Sequence, residues 1–244
     1  MALLPEFRDW ELPQLRDAID REFFLLSEAH YQRYIAPAFL QQIGDYYQFQ
    51  PMLCFNARCW WQHKDKRLDC RHWPPAASEA MPVWVTFDSG DRDDGWVRCE
   101  PEPPRQSDKI LCNTFWFGVY ALGEQYAYDI RPAYSGATLE LWPRLERVLD
   151  TNIDGYLGMY DVPTEPYRWY EPTAPLWQLE GLDPASLAPG ARRCNLQWYS
   201  PKGKAVRRIS DLTRSYLDDW KGVRGMVSLE VHEVPVPPHP RPKT

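Results

Sequence analysis

Long apolar runs are missing from this chain of 244 residues. None approaches the roughly 20 residues of a membrane-spanning helix, which excludes a helical span. The opening stretch, Met-Ala-Leu-Leu-Pro-Glu-Phe-Arg-Asp, has neither a basic segment nor an apolar one. No secretory signal is read there, so an intracellular location, cytoplasmic or nuclear, is expected, with no membrane partner. Histidine is sparse, with five in all, and the local signatures of catalysis are absent. There is no Gly-x-Ser-x-Gly elbow, no Gly-x4-Gly-Lys phosphate loop, no His-Glu-x-x-His and no Gly-x-Gly-x-x-Gly. Acidic pairs such as Asp88/Asp91 and Glu100/Glu102 fall in turns and read as solvated surface. These absences argue against an enzyme, although a hydrolase built from dispersed carboxylates leaves little local trace. Six cysteines without a secretory signal read as thiols or metal ligands rather than disulfides.

What the chain does have is aromatic and proline-rich. Its 12 Trp and 14 Tyr suit both a core and a binding face, because each joins a large apolar body to a polar tip. The 24 Pro imply many irregular connections. The expected fold class is α+β: an N-terminal helical segment and a mostly antiparallel sheet, followed by a small β-β-α module. Apolar residues from Leu12 to Ile43 recur near the helical period, with Pro37 dividing the run, which predicts helix over 12–47. Aromatic and β-branched runs predict strands at Gln50–Trp61, Pro82–Asp88, Gly95–Cys99, Lys109–Leu122 and Gln125–Ile130. Asp-Arg-Asp-Asp-Gly at 91–95 reads as a hairpin turn. Leu139, Leu141, Leu145 and Val148 predict a short helix over Thr138–Leu149. Four prolines between Val162 and Pro175 mark a connector. The expected organisation is an acidic aromatic-rich body (1–162), the connector (163–175), a basic module (176–234) and a disordered Pro-rich tail (235–244).

Charge separates the two parts. From Gly190 to Arg224 there are nine Lys/Arg and three Asp, or +6, whereas the whole chain is −6, so the remainder sums to −12. A basic module on an acidic body is an electrostatic footprint of nucleic-acid contact. Trp198–Leu217 reads as a strand, a Ser-Pro-Lys-Gly turn, a second strand and a helix.

Residues 175–217 resemble the methyl-CpG-binding domain. The resemblance is carried by Pro175-Leu176-Trp177, Gly190-Ala191-Arg192-Arg193, Trp198-Tyr199-Ser200-Pro201-Lys202-Gly203-Lys204, Arg207, Asp211-Leu212-Thr213-Arg214 and Tyr216-Leu217. It implies a twisted sheet with one helix, and contact with double-stranded DNA. Arg207 would correspond to a base-reading arginine, and Lys202, Lys204 and Arg208 to phosphate contacts, with Arg192 and Arg193 on the neighbouring loop. Asn195 and Gln197 stand where that family usually has an acidic residue and a tyrosine.

Two metal patterns remain. Asp150-Thr151-Asn152-Ile153-Asp154-Gly155, continuing to Asp161, fits the EF-hand calcium loop, with candidate ligands Asp150, Asn152, Asp154 and Asp161. The alternative is an Asx/Gly turn that ends a helix. Cys54, Cys59, His63, Cys70 and His72 supply enough ligands for a structural zinc site, though their spacing matches no standard finger. The function expected is that of a non-enzymatic binding or regulatory protein that contacts DNA. The alternatives are an acidic protein-interaction module (an inhibitor, a toxin-neutralising factor or a viral accessory protein) and an unrecognised enzyme.

Overall fold

Phe55, Ala57, Cys59 and Trp61 are buried while Asn56, Arg58 and Trp60 are less so, the period-two alternation of a strand with one face on a core. That pattern governs the chain. A computed structural model describes residues 48–87, 95–101, 110–133, 147–161, 175–211 and 214–236. Its strands are β1 (Gln48–Phe49), β2 (Phe55–His63), β3 (Ala80–Phe87), β4 (Val97–Cys99), β5 (Ile110–Cys112), β6 (Thr114–Leu122) and β7 (Gln125–Pro132). Then come β8 (Arg147–Thr151), β9 (Leu157–Asp161), β10 (Gln178–Glu180), β11 (Arg192–Tyr199), β12 (Arg207–Asp211), β13 (Arg214–Asp218) and β14 (Val223–Glu233).

The expected α+β class is corrected by this architecture. Strands take 59% of the structure and short helical turns 4%, so the described residues are all-β. Of the helix expected at Thr138–Leu149, the described residues Arg147, Val148 and Leu149 are strand instead: they open β8 and pair with β9, while 138–146 lie outside the described residues. Val148 and Leu149 are adjacent and both buried, and the β9 ladder decides the outcome. The helix expected after the Ser-Pro-Lys-Gly turn is also a strand. β13 pairs with β12 along one edge and with β4 along the other, and this tertiary pairing overrides its weak local preference. The helical run at 12–47 lies outside the described residues.

Six strands close on themselves in the order β2-β3-β4-β13-β12-β14 and back to β2, forming an antiparallel barrel. A second circuit shares its spine. β7, β6, β2, β14, β11 and β10 are neighbours in turn, and Tyr128 and Trp177 exchange backbone hydrogen bonds of 2.8 and 2.9 Å that join β7 to the start of β10. The shared β2–β14 ladder runs from Asn56↔Glu233 to His63↔Gly225. Strands from either side of 163–175 therefore belong to one sheet. One apolar core fills both circuits, and it includes Phe55, Trp61, Phe117, Tyr128, Leu157, Trp177, Leu217 and Leu229. Trp177 is wholly buried, and its indole N–H donates to the Leu149 carbonyl at 2.8 Å, which satisfies its polar tip. At the far end of the described chain, Val236 is buried beside Cys54 and Trp116, and its N–H donates to the Cys54 carbonyl.

A cationic rim around Trp220

Three turns meet at one end of the barrel. The first follows β11: Ser200-Pro201-Lys202-Gly203 closes with Gly203 N–H on the Ser200 carbonyl at 2.8 Å, and Gly203 takes the positive φ of 70°. The second joins β13 to β14. The Asp218 carboxylate accepts the N–H groups of Trp220 and Lys221, and Gly222 turns the chain at φ 96°, where a Cβ would come within 2.2 Å of the Arg208 carbonyl oxygen. The third is the tip of the β8–β9 hairpin, where Asn152 Oδ1 accepts the N–H groups of Asp154 and Tyr156, both at 2.9 Å. These turns are tied together. Asp219 N–H donates to the Gly155 carbonyl at 2.8 Å, and Lys202 Nζ donates to Thr151 Oγ1 at 2.8 Å.

Trp220 stands exposed at this junction, with the ammonium of Lys221 at 4.7 Å and that of Lys204 at 5.8 Å from its ring centroid. Arg207 donates to the Gly222 carbonyl at 3.3 Å, and Arg224 is its cross-strand neighbour. Arg224 in turn reaches Gln197 Oε1 and the Tyr199 hydroxyl, both at 3.2 Å. Among the described residues, none of Lys202, Lys204, Arg207, Lys221 and Arg224 is ion-paired with a carboxylate. The nearby acids include Asp154, exposed on the hairpin tip, Asp218 and Asp219, buried beneath it, and Glu180, which accepts from the Tyr199 hydroxyl at 3.0 Å. Burial and the hydrogen bond to Glu180 hold the Tyr199 hydroxyl above its usual pKa.

The six cations singled out in the sequence do not converge. Lys202, Lys204 and Arg207 belong to this rim. Arg208, the next residue on β12, faces the other way, with Nη1 at 3.1 Å from Met81 Sδ and its guanidinium over the Trp61 ring. Arg192 and Arg193 lie at the opposite end of β11, roughly 20 Å off by the rise of a strand. There Arg192 faces Glu230 at 3.5 Å and the Trp73 ring, while Arg193 donates to the Ser186 carbonyl at 2.8 Å. Lys221, Arg224, Trp220 and Ile153 were missed. The helix expected at the end of Trp198–Leu217 drew attention away from the Asp-Asp-Trp-Lys-Gly sequence that follows it, a turn signal that lifts its tryptophan out of the core.

The opposite end of β11 is stapled. Cys194 forms a disulfide with Cys70, which corrects the reading of every cysteine as a thiol or metal ligand. Its neighbour Asn195 lies at a bulge with φ 64° and grips the same 64–79 loop: Oδ1 accepts from Leu68 N–H at 2.9 Å and Nδ2 donates to the Leu68 carbonyl at 3.0 Å. Gln62, fully buried, donates to Asn195 Oδ1 and to the Lys66 carbonyl and accepts from Ser228 Oγ at 2.6 Å. Every buried polar atom of this Gln62–Ser228–Asn195 network has a partner.

Several residues of the two metal patterns have other partners. Cys54 and Cys59 are buried in separate clusters, and Cys70 is bridged to Cys194. Burial pushes the thiols of Cys54, Cys99 and Cys112 up to about 12 and that of Cys59 further. His63 lies beside Asp65 at 3.3 Å and His72 beside Asp69 at 3.5 Å. In the calcium-like segment a strand, not a helix, enters the loop; Asn152 caps the turn, and Asp150 Oδ1 accepts from Thr151 N–H. Among the described residues, no group of three or more His, Cys, Asp or Glu is placed to hold a metal ion.

No protein-family model matches the chain, and no curated protein matches it.

Proposed function

We propose that the protein is a non-enzymatic binding protein whose Trp220 end takes the phosphate groups of an anionic partner. The observation that supports this most directly is the gathering of Lys202, Lys204, Arg207, Lys221 and Arg224 at one end of the fold, two of them over an exposed indole, with none ion-paired to a carboxylate among the described residues. Unpaired cations at this density are strongly hydrated and repel one another, and a polyanion relieves both conditions while releasing its own counterions. The three turns are fixed by backbone hydrogen bonds, so the charges are presented in place rather than on loose chains. Duplex DNA, the partner implied by the resemblance, would engage this rim rather than Arg192, Arg193 and Arg208, which are already occupied.

The test is a titration of the full chain with inorganic polyphosphate and with a DNA duplex across a salt series. Binding should weaken steeply with salt, and Lys204→Gln/Lys221→Gln/Arg224→Gln should flatten the log–log slope by about two to three units. Arg192→Gln/Arg193→Gln should leave it unchanged. Salt-insensitive binding, or equal losses from both sets, would overturn the reading.

A further inference from the structure

Four large apolar side chains stand exposed among the described residues, and three belong to this same end: Ile153 at 96%, Trp220 at 57% and Val223 at 46%. Exposed apolar residues are ordinarily scattered singly over a surface. Here they come from two adjoining turns that touch directly, since a Cβ on Gly155 would lie 2.9 Å from the Cβ of Trp220. Ile153 and Gly155 share the tip of the β8–β9 hairpin, while Trp220 and Val223 flank Gly222 in the other turn.

A phosphate-bearing partner has to account for these side chains as well as for the lysines. Nucleic acid offers phosphates and base faces, and it provides no apolar phase for an isoleucine at a hairpin tip. A phospholipid surface offers both in layers, anionic headgroups above and the acyl boundary just beneath. The molecule presents the matching pair. The most exposed large apolar side chain among the described residues is aliphatic, an indole stands on the adjoining turn, and two ammonium groups lie over the indole. Indoles favour the headgroup level, and lysine stems lie along apolar surface while their charges stay among phosphates. Both Lys204 and Lys221 already hold their amines over the Trp220 ring, so ring and charge enter the interface as one unit.

Resting on the phosphate-contact reading above, we infer that this end docks on the surface of an anionic phospholipid bilayer. Ile153 and Trp220 reach the acyl boundary, and Lys202, Lys204 and Lys221 meet the headgroup phosphates. Charge complementarity selects the lipid. On the exposed tips the cations outnumber the one exposed carboxylate, Asp154; Asp218 is turned inward to cap Trp220 and Lys221, and Glu180 is engaged by Tyr199.

The experiment is co-sedimentation of the full chain with phosphatidylcholine vesicles, with and without phosphatidylglycerol, alongside the polyphosphate and duplex titrations. The chain should pellet with the anionic vesicles only. Trp220→Ala and Ile153→Ser should each lower that partition by about tenfold, with the far-UV spectrum and polyphosphate binding retained by Ile153→Ser. Lys204→Gln/Lys221→Gln should lower it by about thirtyfold. Binding of polyphosphate or DNA without binding of anionic vesicles would overturn the lipid assignment and leave the phosphate reading standing. Vesicle binding indifferent to Trp220→Ala and Ile153→Ser would overturn the assignment of the docking end. Failure to bind any of these anions would overturn both.

Discussion

β11 has a locked end and an open end, and their sequences look alike. Arg192-Arg193 and Lys202-Gly203-Lys204 are both short basic stretches beside a glycine. At the locked end the guanidinium groups are used up by Glu230, Trp73 and Ser186, next to a disulfide and an asparagine that together fasten the 64–79 loop. At the open end the ammonium groups have an indole and a hydroxyl for company and, among the described residues, no ion-paired carboxylate. Charge density along a sequence therefore does not identify a binding surface. What matters is whether the fold has already matched each charge, and at the locked end it has.

Four variants or conditions test that contrast. The largest effect is expected from Cys70→Ser/Cys194→Ser, because the bridge spans 124 residues and the entropy of closing such a loop is worth about 5 kcal/mol. Urea unfolding should show the loss, while polyphosphate affinity per folded molecule should stay the same; a parallel fall in affinity would couple the two ends. Asn195→Ala should cost about 3 kcal/mol, since it strands Gln62 and Leu68 and puts a Cβ-bearing residue without a compensating amide at positive φ. A smaller cost, with Leu68 amide exchange unchanged, would show that the bridge alone holds the loop.

The core between the ends gives a pH prediction. The buried thiols are held up to about 12 in the fold, whereas in the unfolded chain they ionise near 9.0. Unfolding then releases protons above that value, so stability should fall as pH rises from about 9 towards about 12 and be flat below. Urea midpoints across this range check it, together with a thiol reagent that should count four thiols only after denaturation. The smallest stability effect belongs to the open end. Trp220→Ala should change stability by no more than about 0.5 kcal/mol while removing most of the anion binding. A large loss of stability there would mean that the indole is structural.

The strands were legible where one face is buried. Ala80–Phe87, Val97–Cys99 and Gln125–Pro132 lie close to the segments marked by aromatic and β-branched runs, and Asn113 divides the expected 109–122 strand into β5 and β6. The strands at 147–151 and 214–218, expected as helix, were not legible, because their apolar spacings suit either period and their partners, β9, β12 and β4, lie elsewhere in the chain. The Ser-Pro-Lys-Gly turn was readable from proline and glycine alone. The rim was half readable. Lys202, Lys204 and Arg207 were visible as charge, whereas Ile153 reaches the same place through long-range ties, Asp219 to Gly155 and Lys202 to Thr151. The Cys70–Cys194 pairing had no local signal, and a cystine is the chemistry of oxidising compartments, in contrast with the reading taken from the first residues.

The β2–β14 ladder has a consequence for how the chain is made. Its two strands are separated by most of the sequence, and β14 is also the neighbour of β11 and β12. During synthesis β2 leaves the ribosome early with one edge unpaired, and it keeps that edge until residues 223–233 emerge. Neither circuit can close before then. A nascent chain stalled short of Val223 should remain protease-sensitive over residues 55–63, and release of the last strand should protect both circuits in one step.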